Sequence, residues 1–171
     1  MNHLAASELI LNKDGSIYHL NLLPEQIADT VIVVGDQDRV GKITKYFDKV
    51  ELVVQKREFH TQTGTYKGKR ISVLSTGIGT DNIDIVLNEL DALVNIDFKT
   101  REIRDKKKSL DIIRVGTSGS VQKDIPVDSI VASELAVGFD TVLHFYQSEG
   151  IQLQDFNEAL ANHLQLHPRN S

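Results

Sequence analysis

The sequence predicts an α/β domain in which strands and helices alternate and pack in layers. Four consecutive β-branched apolar residues, Val31 to Val34, are typical of a strand buried on both faces. Three strand candidates run directly into Gly-rich turns, after Val34, Ser75 and Val115. Helical patterns follow the first two of these turns. This alternation favours a layered α/β domain over an all-α or all-β one.

The first strand leads into a turn and then a helix. Gly35 stands where a chain leaving a buried strand turns sharply. Asp36 or Asp38 can cap the helix, which is predicted to run to about Phe47. The free N–H groups and the positive dipole end of such a helix favour an anion. Taken alone, however, this stretch is interpreted as an ordinary βα turn with Arg39 on the surface, and the anion site depends on other parts of the chain.

The second helix has the clearest periodicity in the chain. Thr80 or Asp81 is predicted to cap it. Its apolar residues recur at helical spacing and predict one buried face. The members of that face are Ile83, Val86, Leu87, Leu90 and Leu93.

The other elements follow from local alternation and turn residues. The stretch 95–109 is charged and is predicted to be a solvated loop. Strands are predicted at 17–20, 51–57, 59–66, 70–75, 111–115 and 129–133, and helical segments at 24–27 and 155–164.

Composition excludes several classes of protein. The net charge of −5 gives no support to binding of nucleic acid or an anionic membrane. The absence of cysteine excludes a disulfide framework, a thiolate metal site and a Cys nucleophile. No signal-peptide pattern or membrane-length apolar run is present. We therefore expect one cytoplasmic globular domain over residues 1–171.

The Gly-rich turns predict an anion site. Ligands of open α/β sheets bind at the carboxyl ends of strands, so three neighbouring strands would bring their turns to one cleft. Arg39 and Arg114 would face this cleft, beside the hydroxyls of Thr76 and Thr117. Guanidinium groups suit a phosphate or sugar phosphate. Arg114 interrupts an apolar strand, where an unpaired charge is costly, and a salt bridge to Asp36 is the alternative interpretation.

Four segments in one order resemble a known family. From about His19 to Phe145, the chain is similar to the nucleoside phosphorylase family, in its uridine phosphorylase branch. The resemblance implies a three-layer α/β/α domain around a twisted mixed sheet. It also implies dimers that assemble into hexamers, with each active site completed by a neighbouring subunit. The segments are VIVVGDQDRV from Val31, REF from Arg57, SVLSTGIGTDNI from Ser72 and IIRVGTSGSVQ from Ile112.

The resemblance implies a phosphate site in two motifs. Gly35 and Arg39 match the first motif, and Arg114 and Thr117 match the second. Arg57 matches an arginine that reaches the phosphate of the adjacent subunit.

It also implies contacts to ribose and to a cation. His19 matches a histidine that crosses the dimer interface to the ribose 5′-hydroxyl, and the turn Thr76-Gly77-Ile78-Gly79 matches one beside the ribose and phosphate. Glu58 and the Ile78 carbonyl resemble part of a monovalent-cation (K+) site, in which Asn82 stands where Ser is usual. Without the resemblance, His19 is interpreted as a strand-edge histidine, and Arg57 with Glu58 as a surface pair.

The implied reaction is phosphorolysis, in which a nucleoside and phosphate give a free base and ribose 1-phosphate. No side chain is identified as the acid or base. The sequence resembles roughly the N-terminal two-thirds of a typical member and ends before the family's base-recognition loop. We therefore expect the C-terminal part of the fold to be missing and the activity to be impaired. A phosphate-binding or oligomerisation remnant without catalysis is one alternative; a nucleosidase is another, against which Arg39, Arg57 and Arg114 argue.

Overall fold

A computed structural model describes residues 3–164, and most of its elements lie close to their predicted positions. Two units are distinguished, Met1–Ile130 and Val131–Ser171. In chain order the elements are β1 (Thr30–Val34), α1 (Gln37–Thr44), β2 (Lys49–Lys56), β3 (Phe59–Tyr66), β4 (Lys69–Ser75), α2 (Thr80–Asn95), β5 (Ile96–Asp97), β6 (Glu102–Ile103), β7 (Asp111–Arg114) and α3 (Gln154–His163).

The main sheet of the first unit has five strands in the order β2-β3-β4-β1-β7. β2, β3 and β4 form an antiparallel meander, whereas β1 pairs in parallel with both β4 and β7. The three strands that end in Gly-rich turns are therefore neighbours. Because parallel strands end at the same edge of a sheet, their turns meet there, as predicted.

Each face of this sheet is covered by one helix. Along β1, Val31 and Val33 belong to an apolar cluster that includes Leu90 of α2. Val34 points to the other face and packs in a second cluster with Val40 of α1. Alternate side chains of β1 thus pack in two different cores, one on each face of the sheet. This arrangement confirms the mixed α/β architecture and agrees with the predicted three layers.

Helix α2 differs from the prediction at its start and on its surface. Gly79 occupies the capping position with φ +110°, so neither Thr80 nor Asp81 caps the helix. Leu87 is 46% exposed, although its spacing placed it on the apolar face. Glu89 is buried in that face instead.

Strand β7 forms where predicted, but it is not buried. All four of its residues are exposed, because β7 is the edge strand of the sheet in the described part of the chain. The strand predicted at 129–133 is absent, and this stretch has no regular structure.

Three further boundaries differ from the prediction. Residues 18–20 form a turn rather than an extended segment, because Ile17 makes only an isolated bridge, to Leu11. The predicted loop at 95–109 contains a two-stranded hairpin, β5 with β6. Helix α1 ends at Thr44.

The described part of the second unit contains helical segments after residue 141. Two short 3-10 turns, Val142–Phe145 and Glu149–Ile151, precede α3, which matches the helix predicted at 155–164. Among residues 3–164, none of the helices combines the length and apolar content that a membrane crossing requires.

Truncating a leucine side chain should cost different amounts of stability on the two faces of α2. We expect Leu90→Ala to lower the free energy of unfolding by about 2 to 5 kcal/mol, because it leaves a cavity at a fully buried position. Leu87→Ala, on the same helix, is the matched control and should cost about 0.5 kcal/mol or less. Urea unfolding followed by circular dichroism measures both. Equal losses in the two variants would contradict this packing of α2.

Candidate functional site

An open pocket lies at the carboxyl edge of the main sheet, where the turns after β1, β4 and β7 meet. The turn between β2 and β3 adds one residue to its wall. The lining residues are Gly35, Asp36, Gln37, Asp38, Arg39, Glu58, Gly77, Ile78, Arg114, Gly116 and Thr117. The predicted convergence of the three Gly-rich turns is therefore observed.

Arg39 is held across the pocket by a residue from a distant part of the chain. It lies in the first turn of α1, where the Asp36 carboxylate caps the helix by accepting the Asp38 backbone N–H at 3.0 Å. The Arg39 guanidinium donates through Nη2 to the Thr117 hydroxyl at 3.2 Å. This bond joins the first and third turns and orients one guanidinium along the pocket wall.

Arg114 lines the same pocket from the end of β7. Its side chain is exposed, so the expected penalty for a buried charge at this position was wrong. Among residues 3–164, no carboxylate lies within salt-bridge distance of Arg114, and the alternative pairing with Asp36 is not formed. The guanidinium is therefore available to an anion.

The charges around the pocket do not balance. Arg39 and Arg114 supply two positive charges, whereas Asp36, Asp38 and Glu58 supply three negative ones. The N-terminus of α1 adds only about half a positive charge. A phosphate in this pocket would therefore be stabilised by a further cation.

Gly77 brings together the residues of the predicted cation site. Its φ is +70°, and a Cβ there would lie 2.7 Å from Asn82 Nδ2 and 3.0 Å from Glu58 Cγ. The Asn82 amide donates to the Ile78 carbonyl at 3.1 Å. A cation at Glu58, Ile78 and Asn82 would have to share that carbonyl with the amide N–H.

Four predicted site residues do not line this pocket: Thr76, Arg57, His19 and Asn82. Thr76 is buried, and its hydroxyl lies 3.0 Å from the Gly77 carbonyl and 3.3 Å from the Val34 carbonyl. The hydroxyl therefore stabilises the turn instead of facing the pocket as expected. Arg57 lies in the β2–β3 turn with φ +55°, and its guanidinium carbon is 5.9 Å from the centre of the Tyr18 ring.

His19 also lies away from the pocket, in the 18–20 turn. Its Nδ1 is 2.7 Å from Oε1 of Glu89, a residue that sequence reasoning missed. The sequence does mark Glu89 as unusual, because it is an acidic residue on an apolar helix face, three residues after Val86 and four before Leu93.

Gln37 was likewise not predicted to contribute to the site. It lines the pocket and donates its side-chain amide to the Arg57 carbonyl at 3.0 Å. This bond ties the start of α1 to the β2–β3 turn.

Comparison with protein families gives one match that covers most of the chain. The model of the phosphorylase superfamily matches residues 29–167. The uridine phosphorylase of Thermococcus kodakarensis is 34% identical over 125 residues, which cover 73% of this chain and 40% of the relative. A DeoD-type purine nucleoside phosphorylase from Exiguobacterium sp. is 39% identical over 114 residues, which cover 66% of this chain and 43% of the relative.

Solved structures give the same result. The Trypanosoma brucei nucleoside phosphorylase, whose crystal structure was described with uridine phosphorylase activity, matches with a TM-score of 0.75 and 34% identity. The match covers 90% of this chain and 53% of that one. The chain thus spans about half the length of the proteins it resembles.

Gly77 and Gly35, two of the glycines that line the pocket, should respond differently to an added methyl group. Gly77→Ala should lower the free energy of unfolding by roughly 1 to 3 kcal/mol, because of the positive φ and the short approaches to Asn82 and Glu58. Gly35→Ala is the control, since its Cβ would lie 3.9 Å from the nearest atom and its φ is outside the left-handed region. Urea unfolding measures both. A loss as large for Gly35→Ala would refute this account of the turn.

Proposed function

The chain belongs to the phosphorylase superfamily, and from this premise we propose that it acts as a nucleoside phosphorylase of the uridine phosphorylase type. The reaction converts a nucleoside and inorganic phosphate to a free base and ribose 1-phosphate. The observation that carries the proposal is the convergence of Arg39, Arg114 and Thr117 in one pocket at the carboxyl edge of parallel strands.

The pocket supplies what a phosphate nucleophile requires. Arg39 and Arg114 present guanidinium donors, the Thr117 hydroxyl fixes one of them, and α1 begins at the same place. In phosphorolysis the bond between C1′ and the base breaks with its electron pair leaving on the base. A phosphate oxygen then bonds to C1′.

Positioning and electrostatics supply the catalysis in this proposal. The sugar develops positive charge as the glycosidic bond stretches, and the bound phosphate is both its counter-charge and its nucleophile. Holding phosphate beneath C1′ lowers the barrier without a nucleophilic side chain. Phosphate is thus the co-substrate. No side chain is assigned as a catalytic acid or base.

The charge balance of the pocket supports self-association. Two arginines face three carboxylates there, while Arg57 is exposed on the β2–β3 turn and lines no part of its own pocket. A second copy that placed its Arg57 in this pocket would supply the missing positive charge. We therefore propose a dimer, or a hexamer built from dimers, in which Arg57 and His19 act at the neighbouring site.

Uridine is the proposed nucleoside. The relatives include a uridine phosphorylase and a purine nucleoside phosphorylase, and the T. brucei structure is described with uridine phosphorylase activity. The order of the motifs resembles the uridine branch. Inosine serves as the comparison substrate in the test.

Phosphate should stabilise the chain through its two pocket arginines. We expect inorganic phosphate at constant ionic strength to raise Tm, with about 2.7 kcal/mol of stabilisation at a hundredfold excess over Kd. Arg114→Ala and Arg39→Ala should remove most of this shift. Arg104→Ala is the matched control, because Arg104 is exposed outside the pocket. A phosphate shift that survives in Arg114→Ala would contradict the site.

Turnover tests the reaction itself on the same protein. Uridine and inosine are incubated with the chain, with and without phosphate, and base release is followed. Phosphate-dependent uracil release would support the proposal. Release without phosphate would identify a nucleosidase, and phosphate stabilisation without any release would identify a phosphate-binding protein without catalysis.

We propose weak binding of a monovalent cation such as K+ at Glu58, Ile78 and Asn82. Because the Asn82 amide already donates to the Ile78 carbonyl, K+ in place of tetramethylammonium should raise Tm only slightly. Asn82→Ser should free the carbonyl and increase the K+ dependence. Strong K+ dependence in the unmodified chain, lost in Asn82→Ser, would instead make the Asn82 side-chain oxygen a ligand.

A further inference from the structure

The buried carboxylate of Glu89 has no part in the phosphate pocket, and its contacts lead to His19. We propose that Glu89 is a positioning residue for His19. It holds the imidazole with its proton on Nδ1 and leaves Nε2 to accept a hydrogen bond from a ligand hydroxyl. The identity of that hydroxyl, the ribose 5′-OH, rests on the proposed function. The position of the proton on the imidazole does not depend on the proposed function.

Within the described residues 3–164, the Glu89 carboxylate is satisfied by two adjacent residues only, His19 and Leu20. Its side chain is 11% exposed on the apolar face of α2, where an unpaired charge would be costly. Oε1 accepts the His19 backbone N–H at 2.9 Å and lies 2.7 Å from His19 Nδ1. Oε2 accepts the Leu20 backbone N–H at 2.8 Å and lies 3.1 Å from the backbone nitrogen of His19. The carboxylate therefore binds both the turn and the ring.

An ionised carboxylate accepts hydrogen bonds and donates none, so Nδ1 must carry the proton. In the neutral ring this leaves Nε2 as an acceptor. Among residues 3–164, Nε2 has no hydrogen-bond partner, and the His19 side chain is 25% exposed. The ring thus presents one lone pair outward.

Two aromatic rings restrict the rotation of the imidazole. Tyr18 lies edge-on at 4.7 Å between ring centres, and Phe59 lies edge-on at 6.3 Å. Phe59 is 1% exposed and belongs to the main core. The imidazole is therefore fixed in direction as well as in tautomer.

The preceding turn is held independently of Glu89. Asn12 donates its side-chain amide to the Ile17 carbonyl at 2.8 Å and to Asn21 Oδ1 at 3.1 Å. The Asp14 carboxylate accepts the Ser16 hydroxyl at 2.6 Å. A variant that keeps the shape of Glu89 should therefore retain this turn.

Glu89→Gln keeps the shape of the side chain but changes its hydrogen-bonding groups. One end of the amide still accepts the backbone N–H groups, but the other end is a donor. With its oxygen toward Leu20, its NH2 group faces Nδ1 and favours the tautomer with the proton on Nε2. The atom that faced the ligand as an acceptor then becomes a donor.

The tautomer is measured in the ligand-free chain. Two-dimensional 15N NMR of the histidine rings is recorded at alkaline pH, so that the rings are neutral, and His19→Ala assigns the signal. We expect the Nδ1–H form in the unmodified chain and the Nε2–H form in Glu89→Gln. Glu102→Gln, the same change at an exposed position, should leave the His19 signal unchanged. An Nε2–H form in the unmodified chain, or no change in Glu89→Gln, would overturn the proposal.

Steady-state kinetics then tests whether the ligand hydroxyl is the ribose 5′-OH. Glu89→Gln should lower kcat/KM about three- to tenfold for uridine, the effect of losing one neutral hydrogen bond. The loss should be much smaller for 5′-deoxyuridine, which lacks the hydroxyl. An equal loss with both substrates would overturn the assignment of the hydroxyl. Absence of turnover in the unmodified chain would count against the proposed function, while the NMR result would still decide the role of Glu89.

Discussion

The candidate site depends on the parallel pairing of β1 with both β4 and β7. Parallel strands end at one edge of a sheet, so this pairing places the turns after Val34, Ser75 and Arg114 side by side. The bond from Arg39 to Thr117 can form only because these turns are adjacent. A register shift of β7 would separate Arg114 from Arg39 and divide the pocket.

The pocket that this pairing forms is open and unbalanced in charge. In the part of the chain that the structure describes, β7 is the edge strand, and its side chains are exposed, including that of Arg114. Three carboxylates line the pocket beside two guanidinium groups. A phosphate bound as proposed would therefore be held more favourably if another positive group approached from outside the chain. The exposed Arg57 on the β2–β3 turn is suited to that role in a second copy.

Arg57 and His19, which lie outside the pocket, are held by bonds that join distant segments. Gln37 links the start of α1 to the carbonyl of Arg57, whose own φ is in the left-handed region. Glu89 links α2 to the turn that carries His19. The two residues proposed to act in trans are thus each anchored by a residue of another element, which reduces the entropy lost when they bind.

Much of this protein was determined by its sequence alone. The β-branched run of β1, the Gly-rich turns and the periodicity of α2 predict strands and helices locally, and the linked motifs identified the family that the comparisons confirm. The convergence of Arg39, Arg114 and Thr117 followed from the rule that ligands bind at the ends of parallel strands.

Which side chains are covered depends on tertiary packing and could not be predicted from local sequence. Leu87 fits the helical period of α2, yet it is exposed, because burial depends on what packs against a helix face. The strand pattern of 111–115 did not show that β7 lies at an edge, and the hydroxyl of Thr76 is taken by the carbonyls of Gly77 and Val34. Glu89 and His19 lie 70 positions apart, so their contact is a property of packing that no local pattern carries.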